Sequence, residues 1–220
     1  MSLILVAASG LAREVLALVR TTAPDRQVLV LDDDTALWGS DLDGAPVAGG
    51  LDLVTTYVDH EVLVCAGRGT ARRSIASRLS GLGVTPDRYA RAVHPSVEMP
   101  SGCMVGCGTI MLANVSLTAN PTVGKHVVVM PNVTLTHDDV VEDFATIASG
   151  VSLGGGVHVE TGAYLGMNSS VREGVRVGKE ALLGMGAALL EDLPPESTWV
   201  GVPARPITVS NSVRGSRCAS

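Results

Sequence analysis

His137 is followed directly by Asp138 and Asp139. An imidazole beside a carboxylate is a proton-transfer pair. Near pH 7 the neutral ring takes a proton from an attacking group, and the acid orients the ring and stabilises its protonated form. Asp138 is the first candidate partner and Asp139 the alternative. The same residues also suit an exposed wall histidine followed by a turn aspartate. The other histidines are His60, His94, His126 and His158.

The element that must position His137 announces itself by period. From Val93 to Leu189 an aliphatic residue recurs at every sixth position, seventeen times without insertion. With about half of all residues apolar, a chance run of that length has odds of order 10⁻⁵. Neither a helix nor an ordinary strand has a period of six, whereas a hexapeptide parallel β-helix does. Gly or Asn fills most fourth slots, as at Gly102, Asn114, Asn132, Gly150 and Asn168. These residues tolerate positive φ, which a tight corner every six residues requires. The fifth slots are mostly small or β-branched, which fits a thin prism. Three hexads make one coil of 18 residues, so Ala119 lies one coil below His137 and Gly155 one coil above. A large polar side chain flanked by two of the smallest residues has room for a ligand beside it. His126, His137 and His158 fall in different hexad slots and do not converge, so no metal is expected.

Residues 1–92 read differently. "LILVAA" (3–8), "QVLVLDD" (27–33) and "EVLVCAG" (61–67) are strand signals. "LAREVLALVR" (11–20) and "ARRSIASRLSGLG" (71–83) are helix signals, the first with Leu11, Val15, Leu18 and Val19 on one face, the second with Ile75 and Leu79 inside. The expected fold is an α/β N-terminal domain, a small Rossmann-like βαβαβ parallel sheet, followed by a left-handed parallel β-helix over residues 93–207. Residues 31–49 read as a polar connection, and the tail 208–220 as disordered. "AASGLARE" (7–14), between strand and helix, resembles an anion-cradling turn, although it lacks the full G-x-G-x-x-G pattern. Asp32, Asp33 and Asp34 end the second strand, where an acid could meet a ribose or base.

Hydrophobic residues make up 46% of the chain, so a core is assured; aromatics are only 3%. The net charge of −6 gives no electrostatic footprint for nucleic acid. No apolar run reaches the length of a membrane span, so no membrane association is expected. "MSLILVAASG" lacks the basic start of a signal peptide. Cys65, Cys103, Cys107 and Cys218 match no zinc spacing and read as reduced wall or core residues of a cytoplasmic protein.

Together, "AASGLAREV", "LDDD", "AGRGTARRSIASRL", "VHPSV", "LTHDDVVEDFATIASGV", "LGMGAALLEDLP" and "GVPARPI" resemble the bacterial sialic-acid O-acetyltransferase and nucleotide-amino-sugar N-acetyltransferase family, a branch of the hexapeptide-repeat acyltransferases. The likeness spans nearly the whole chain. It implies acetyl transfer from acetyl-CoA, with His137 as general base and Asp138 raising its basicity. It implies a nucleotide-linked amino-sugar held by Ser9, Gly10, Asp33 and Asp34, and acetyl-CoA along Gly155, Gly166, Met167, Gly184 and Met185. Many members carry a histidine after the opening glycine, where this chain has Leu11. Because the repeat carries no inserted loop to wall a site, a homotrimer with shared sites is expected. O-acetylation of a sugar such as sialic acid, and a non-catalytic sugar-nucleotide-binding β-helix, are the competing readings.

Overall fold

The computed structural model describes residues 2–207. The expectation for the tail 208–220, and Cys218 with it, lies outside the described residues.

The first segment is built on β1 (Leu3–Val6), α1 (Gly10–Thr22), β2 (Val28–Leu31), β3 (Asp41–Leu42), β4 (Ala45–Gly49), β5 (Glu61–Val64) and α2 (Gly69–Gly81). The sheet order is β3-β4-β2-β1-β5. Strands β4, β2, β1 and β5 run parallel, and β3 pairs antiparallel with β4. Alternate residues of the strands feed two cores: Leu3, Leu5, Val30 and Leu63 pack with α1, while Ile4, Val6, Leu31 and Val62 pack with α2. Ser9 starts α1 as its N-cap, accepting from Ala12 N at 3.1 Å. Gly83, at φ +87, ends α2: Gly83 N donates to Ser80 O and Val84 N to Leu79 O, the pair of bonds that closes a left-handed cap.

Two features differ from expectation. No helix lies between β2 and β5; two short 3-10 turns (Thr35–Leu37 and Leu51–Thr55) and a hairpin occupy that interval. The span 31–49 therefore contains strands. Pro46 disguises β4, since proline donates nothing to a ladder. The strand keeps its alternation all the same: Pro46 is exposed while Ala45, Val47 and Gly49 are buried.

The rest of the described chain is a parallel β-helix of two-residue strands stacked in three faces. The first face runs from Met104–Val105 to Arg176–Val177, the second from Ala92–Val93 through Leu182–Leu183 to Thr198–Val200, and the third from Ser116–Leu117 to Ala188–Leu189. The 18-residue register is direct, as in Val123↔Val141 and Val128↔Thr146. Ladder residues from Met111 to Leu189, with Val127, Val133, Val151 and Ala163 beside them, fill the interior. Every fourth slot from Gly102 to Gly186 has positive φ, including the four that are neither Gly nor Asn: His126 (53°), Asp138 (61°), Phe144 (62°) and Glu180 (54°).

Met99 breaks the ladder. It is 44% exposed and lies in no strand, and Val97 fills the interior instead. Pro95 and Pro100 flank this stretch and cannot donate to a neighbouring coil. At the other end the ladder continues further than its six-residue period does. Leu193 stacks on Val177 and Trp199 on Leu183 through a coil two residues shorter than the rest, and Arg205–Pro206 closes the second face antiparallel. Capping in this way removes an open strand edge.

The first segment packs on the second face, joining Leu11, Val15 and Leu16 to Ile110, Leu112 and Val128 in one core.

Candidate active site

His137 occupies the corner between the third face (Thr134–Leu135) and the first (Val140–Val141). Coil stacking fixes its backbone: Asp138 N donates to Ala119 O at 2.9 Å and Gly156 N to His137 O at 2.8 Å. The left-handed backbone at Asp138 swings its carboxylate back onto the ring, with Nδ1 and Oδ2 3.0 Å apart. A carboxylate only accepts, so Nδ1–H donates and Nε2 keeps the lone pair. His137 is 66% and Asp138 65% exposed at the side chain, so Nε2 is open to a ligand.

Gly155 supplies the seat. A Cβ added there would run into Nε2 and Cε1 of His137. The φ of Gly155 is unexceptional, so glycine is required here for the ring rather than for the backbone.

Asp139 is not the partner. It is buried, its oxygens accept from Thr136 N at 2.6 Å and Val157 N at 2.9 Å, and burial holds its carboxyl above the usual range. It braces the corner and joins two coils.

A cleft of about 800 Å³ opens elsewhere, between the starts of α1 and α2 and the second face. Gly10, Leu11 and Glu14 form one wall, Gly67 to Thr70 another, and Thr146 and Tyr164 part of the floor. It lies at the carboxyl ends of β1 and β5. There the chain leaves β1 for β2 on one side while β5 pairs on the other, the crevice where open parallel sheets bind ligands. Glu14 sits here with its carboxyl raised by burial.

The sequence-derived residues divide among three places. His137, Asp138 and Gly155 meet at one corner. Met167 and Met185 stack at another, 47% and 71% exposed. Gly166 and Gly184 behind them allow coils to approach: a Cβ on Gly166 would stand 2.6 Å from Met185 N, and one on Gly184 2.6 Å from Val200 Cγ1. Gly10 and Met167 line the cleft, and His137 does not. Ser9 is occupied in capping α1 and in donating to Cys65 O at 2.6 Å. Asp33 pairs with Arg78, which holds its carboxyl below the usual range. Asp34 caps the turn at Thr35 by accepting from Ala36 N at 3.0 Å. Asp32 shapes the β1–α1 turn, accepting from Ala8 N at 2.7 Å.

The other histidines of the β-helix have separate partners. His158 Nε2 meets Glu142 Oε1 at 2.7 Å. His126 is buried, stacked on Phe144 with ring centroids 5.1 Å apart and edge-on to Tyr89 at 4.5 Å. Among the described residues no group of three His, Cys, Asp or Glu side chains could hold a metal ion. Cys65, Cys103 and Cys107 are free thiols, and no described helix is long and apolar enough to cross a membrane.

Burial pushes His126 down to about 4 from an ordinary value of 6.5. The unfolded chain takes up a proton below about 6.5 that the folded chain refuses until about 4. Stability is therefore full above that window and falls as pH drops through it, by about 3 kcal/mol. Urea unfolding at pH 7 and pH 4.5 checks this. His126→Asn, a residue that suits the positive φ, is expected to flatten the dependence, and an equal dependence in the variant would assign it to other groups.

Sequence reasoning missed Arg72. It is wholly buried, and its guanidinium reaches both the first segment and the β-helix. The available signal was spacing: Arg72, Ile75 and Leu79 fall on one helical face.

No protein-family model matches the chain, and no curated protein sequence does. Solved structures match nearly its full length. The acetyltransferase domain of PglB from Neisseria gonorrhoeae, in complex with acetyl coenzyme A, is 25% identical over 94% of this chain and 98% of that one, with a TM-score of 0.84. WeeI from Acinetobacter baumannii is 29% identical over 94% and 100%, at 0.83. PerB from Caulobacter crescentus, in complex with CoA and GDP-perosamine, shares the fold at 23% identity over 94% and 98%, at 0.86.

Proposed function

We propose that the chain is an acetyl-CoA-dependent N-acetyltransferase acting on the amino group of a nucleotide-linked amino-sugar. The observation that carries this reading is the His137–Asp138 pair seated on Gly155 with Nε2 free, in a chain similar over its length to an acetyltransferase domain that binds acetyl coenzyme A.

The chemistry follows from the corner. The sugar amine attacks the thioester carbonyl and passes a proton to His137 Nε2, while Asp138 stabilises the imidazolium. The oxyanion of the tetrahedral intermediate needs an N–H donor. Gly155 N–H, beside the ring, donates to no carbonyl or side chain among the described residues. Collapse breaks the carbon–sulfur bond, and the imidazolium returns its proton to the CoA sulfur. No acyl-enzyme forms, so Cys103 and Cys107 need not act as nucleophiles.

In this reading residues 1–92 form a Rossmann-like domain that holds the sugar nucleotide at the cleft, with Ser9, Gly10, Asp33 and Asp34 shaping that end. Residues 93–207 form the left-handed β-helix. Acetyl-CoA runs along Gly155, Gly166, Met167, Gly184 and Met185. His137 and the cleft stand on different corners of one copy. A homotrimer, in which the His137 corner of one subunit faces the cleft of its neighbour, supplies the missing wall. The three described free thiols fit a reducing cytoplasm.

Thiol release from acetyl-CoA across a panel of amino-sugar nucleotides and free amino-sugars tests the reading. Release is expected only with the nucleotide-linked amines, and release with no acceptor would remove it. Sedimentation is expected to give a trimer; an active monomer would exclude the shared site. Gly155→Ala places a methyl group against the ring and is expected to cut turnover about 100-fold with the unfolding midpoint nearly unchanged. Normal turnover would show that the ring needs no seat.

A further inference from the structure

Arg72 is 0% exposed, and none of its hydrogen-bond partners is a carboxylate. Nε donates to His126 O at 2.8 Å. One terminal nitrogen donates to Ala66 O and Gly67 O, both at 2.9 Å. The other reaches Phe144 O, Ala145 O and Thr146 Oγ1 at 2.8–2.9 Å. Thr146 Oγ1 then donates to Gly67 O at 3.1 Å.

Burying a cation without a counter-ion is costly, and a long apolar side chain could fill the same volume at less cost. What the guanidinium adds is geometry. It is planar with donors in a fixed fork, so its acceptors can occupy only one arrangement around it. Those acceptors belong to opposite sides of the cleft. Gly67 opens the segment that starts α2, Thr146 belongs to the β-helix floor, and both line the cleft. The junction leaves no slack, since a Cβ on Gly69 would run into Phe144 O.

We propose that Arg72 is a positioning residue of the acceptor cleft: it fixes the Gly67–Thr70 wall against Thr146, and so sets acceptor binding without touching the reacting atoms. This rests on reading the cleft as the acceptor site. A residue that merely stapled the fold would lower stability and leave the two substrates' kinetics unsplit.

Two variants test it. Arg72→Lys keeps the charge and loses the fork. Thr146→Val keeps the guanidinium and the side-chain shape and loses two links between the walls, those to Arg72 and to Gly67 O, so it carries the test if the lysine variant does not fold. In both, the KM of the amino-sugar nucleotide is expected to rise about 10- to 100-fold, with kcat and the KM of acetyl-CoA unchanged. Hydrogen exchange of the substrate-free protein is expected to quicken at 67–70 and stay the same at 136–139. KM values that stay normal, or rise alike for both substrates, would overturn the proposal, as would unchanged exchange at 67–70. If wild type transfers no acetyl group, the functional reading fails by itself, and exchange still decides whether Arg72 sets the wall.

Discussion

His137→Ala is expected to lower turnover by about 10²–10⁴, the usual contribution of a positioned general base, or about 3 to 5 kcal/mol of transition-state stabilisation. The loss should fall on kcat. The ring is largely exposed and rests on Gly155 and Asp138, so sedimentation and thermal unfolding should match wild type. The variant also leaves an open space beside Gly155, into which free imidazole can settle. Added imidazole is therefore expected to restore part of the rate. Near-normal turnover in the variant would rule out the general-base role. Asp138→Asn is a milder companion change: it keeps the positive φ and the side-chain shape but no longer stabilises an imidazolium.

The largest stability effect is expected at Arg72. Arg72→Ala removes the donor to five backbone carbonyls and Thr146 Oγ1, leaves Ala66 O, His126 O and Phe144 O without a donor among the described residues, and opens a cavity between the first segment and the β-helix. Leaving a buried acceptor unpaired costs about 1–3 kcal/mol and the emptied volume adds a cavity penalty, so a loss of about 3–5 kcal/mol is expected. Denaturant unfolding at fixed protein concentration checks this, since the stability of the proposed trimer would depend on concentration. A loss below about 1 kcal/mol, the level of one ordinary hydrogen bond, would mean that water reaches those carbonyls.

Much of this architecture was legible in the sequence because the β-helix is locally determined. Each coil repeats the same corner and the same inward residue, so a period of six could be read without knowing what lies across the molecule. It also placed His137 between Ala119 and Gly155, and the structure sharpens that gap into a seat. Asp138 was harder to separate from Asp139. Both follow the histidine, and only the positive φ of Asp138 and the buried amides around Asp139 tell them apart.

The rest was hidden for definite reasons. Met99 has the right type at the right position, but two prolines around it prevent a strand. Strand β4 carries a proline and ends in glycine, and is held by its neighbours rather than by its own propensity. Arg72 was not legible because its β-helix partners, three carbonyls and a hydroxyl, lie 54 to 74 residues away. The separation of His137 from the cleft is a tertiary fact: the period tells which residues share a corner, and not where the first segment docks.

The central claim is that an acetyl group passes from acetyl-CoA to a sugar amine at the His137 corner. Mass spectrometry of the products formed from isotopically labelled acetyl-CoA and an amino-sugar nucleotide tests it most directly. The account predicts one labelled acetyl group, in amide linkage, on the nucleotide-linked sugar, formed by wild type and nearly absent with His137→Ala. Label on a hydroxyl, or no labelled sugar from a protein that binds both substrates, would contradict it.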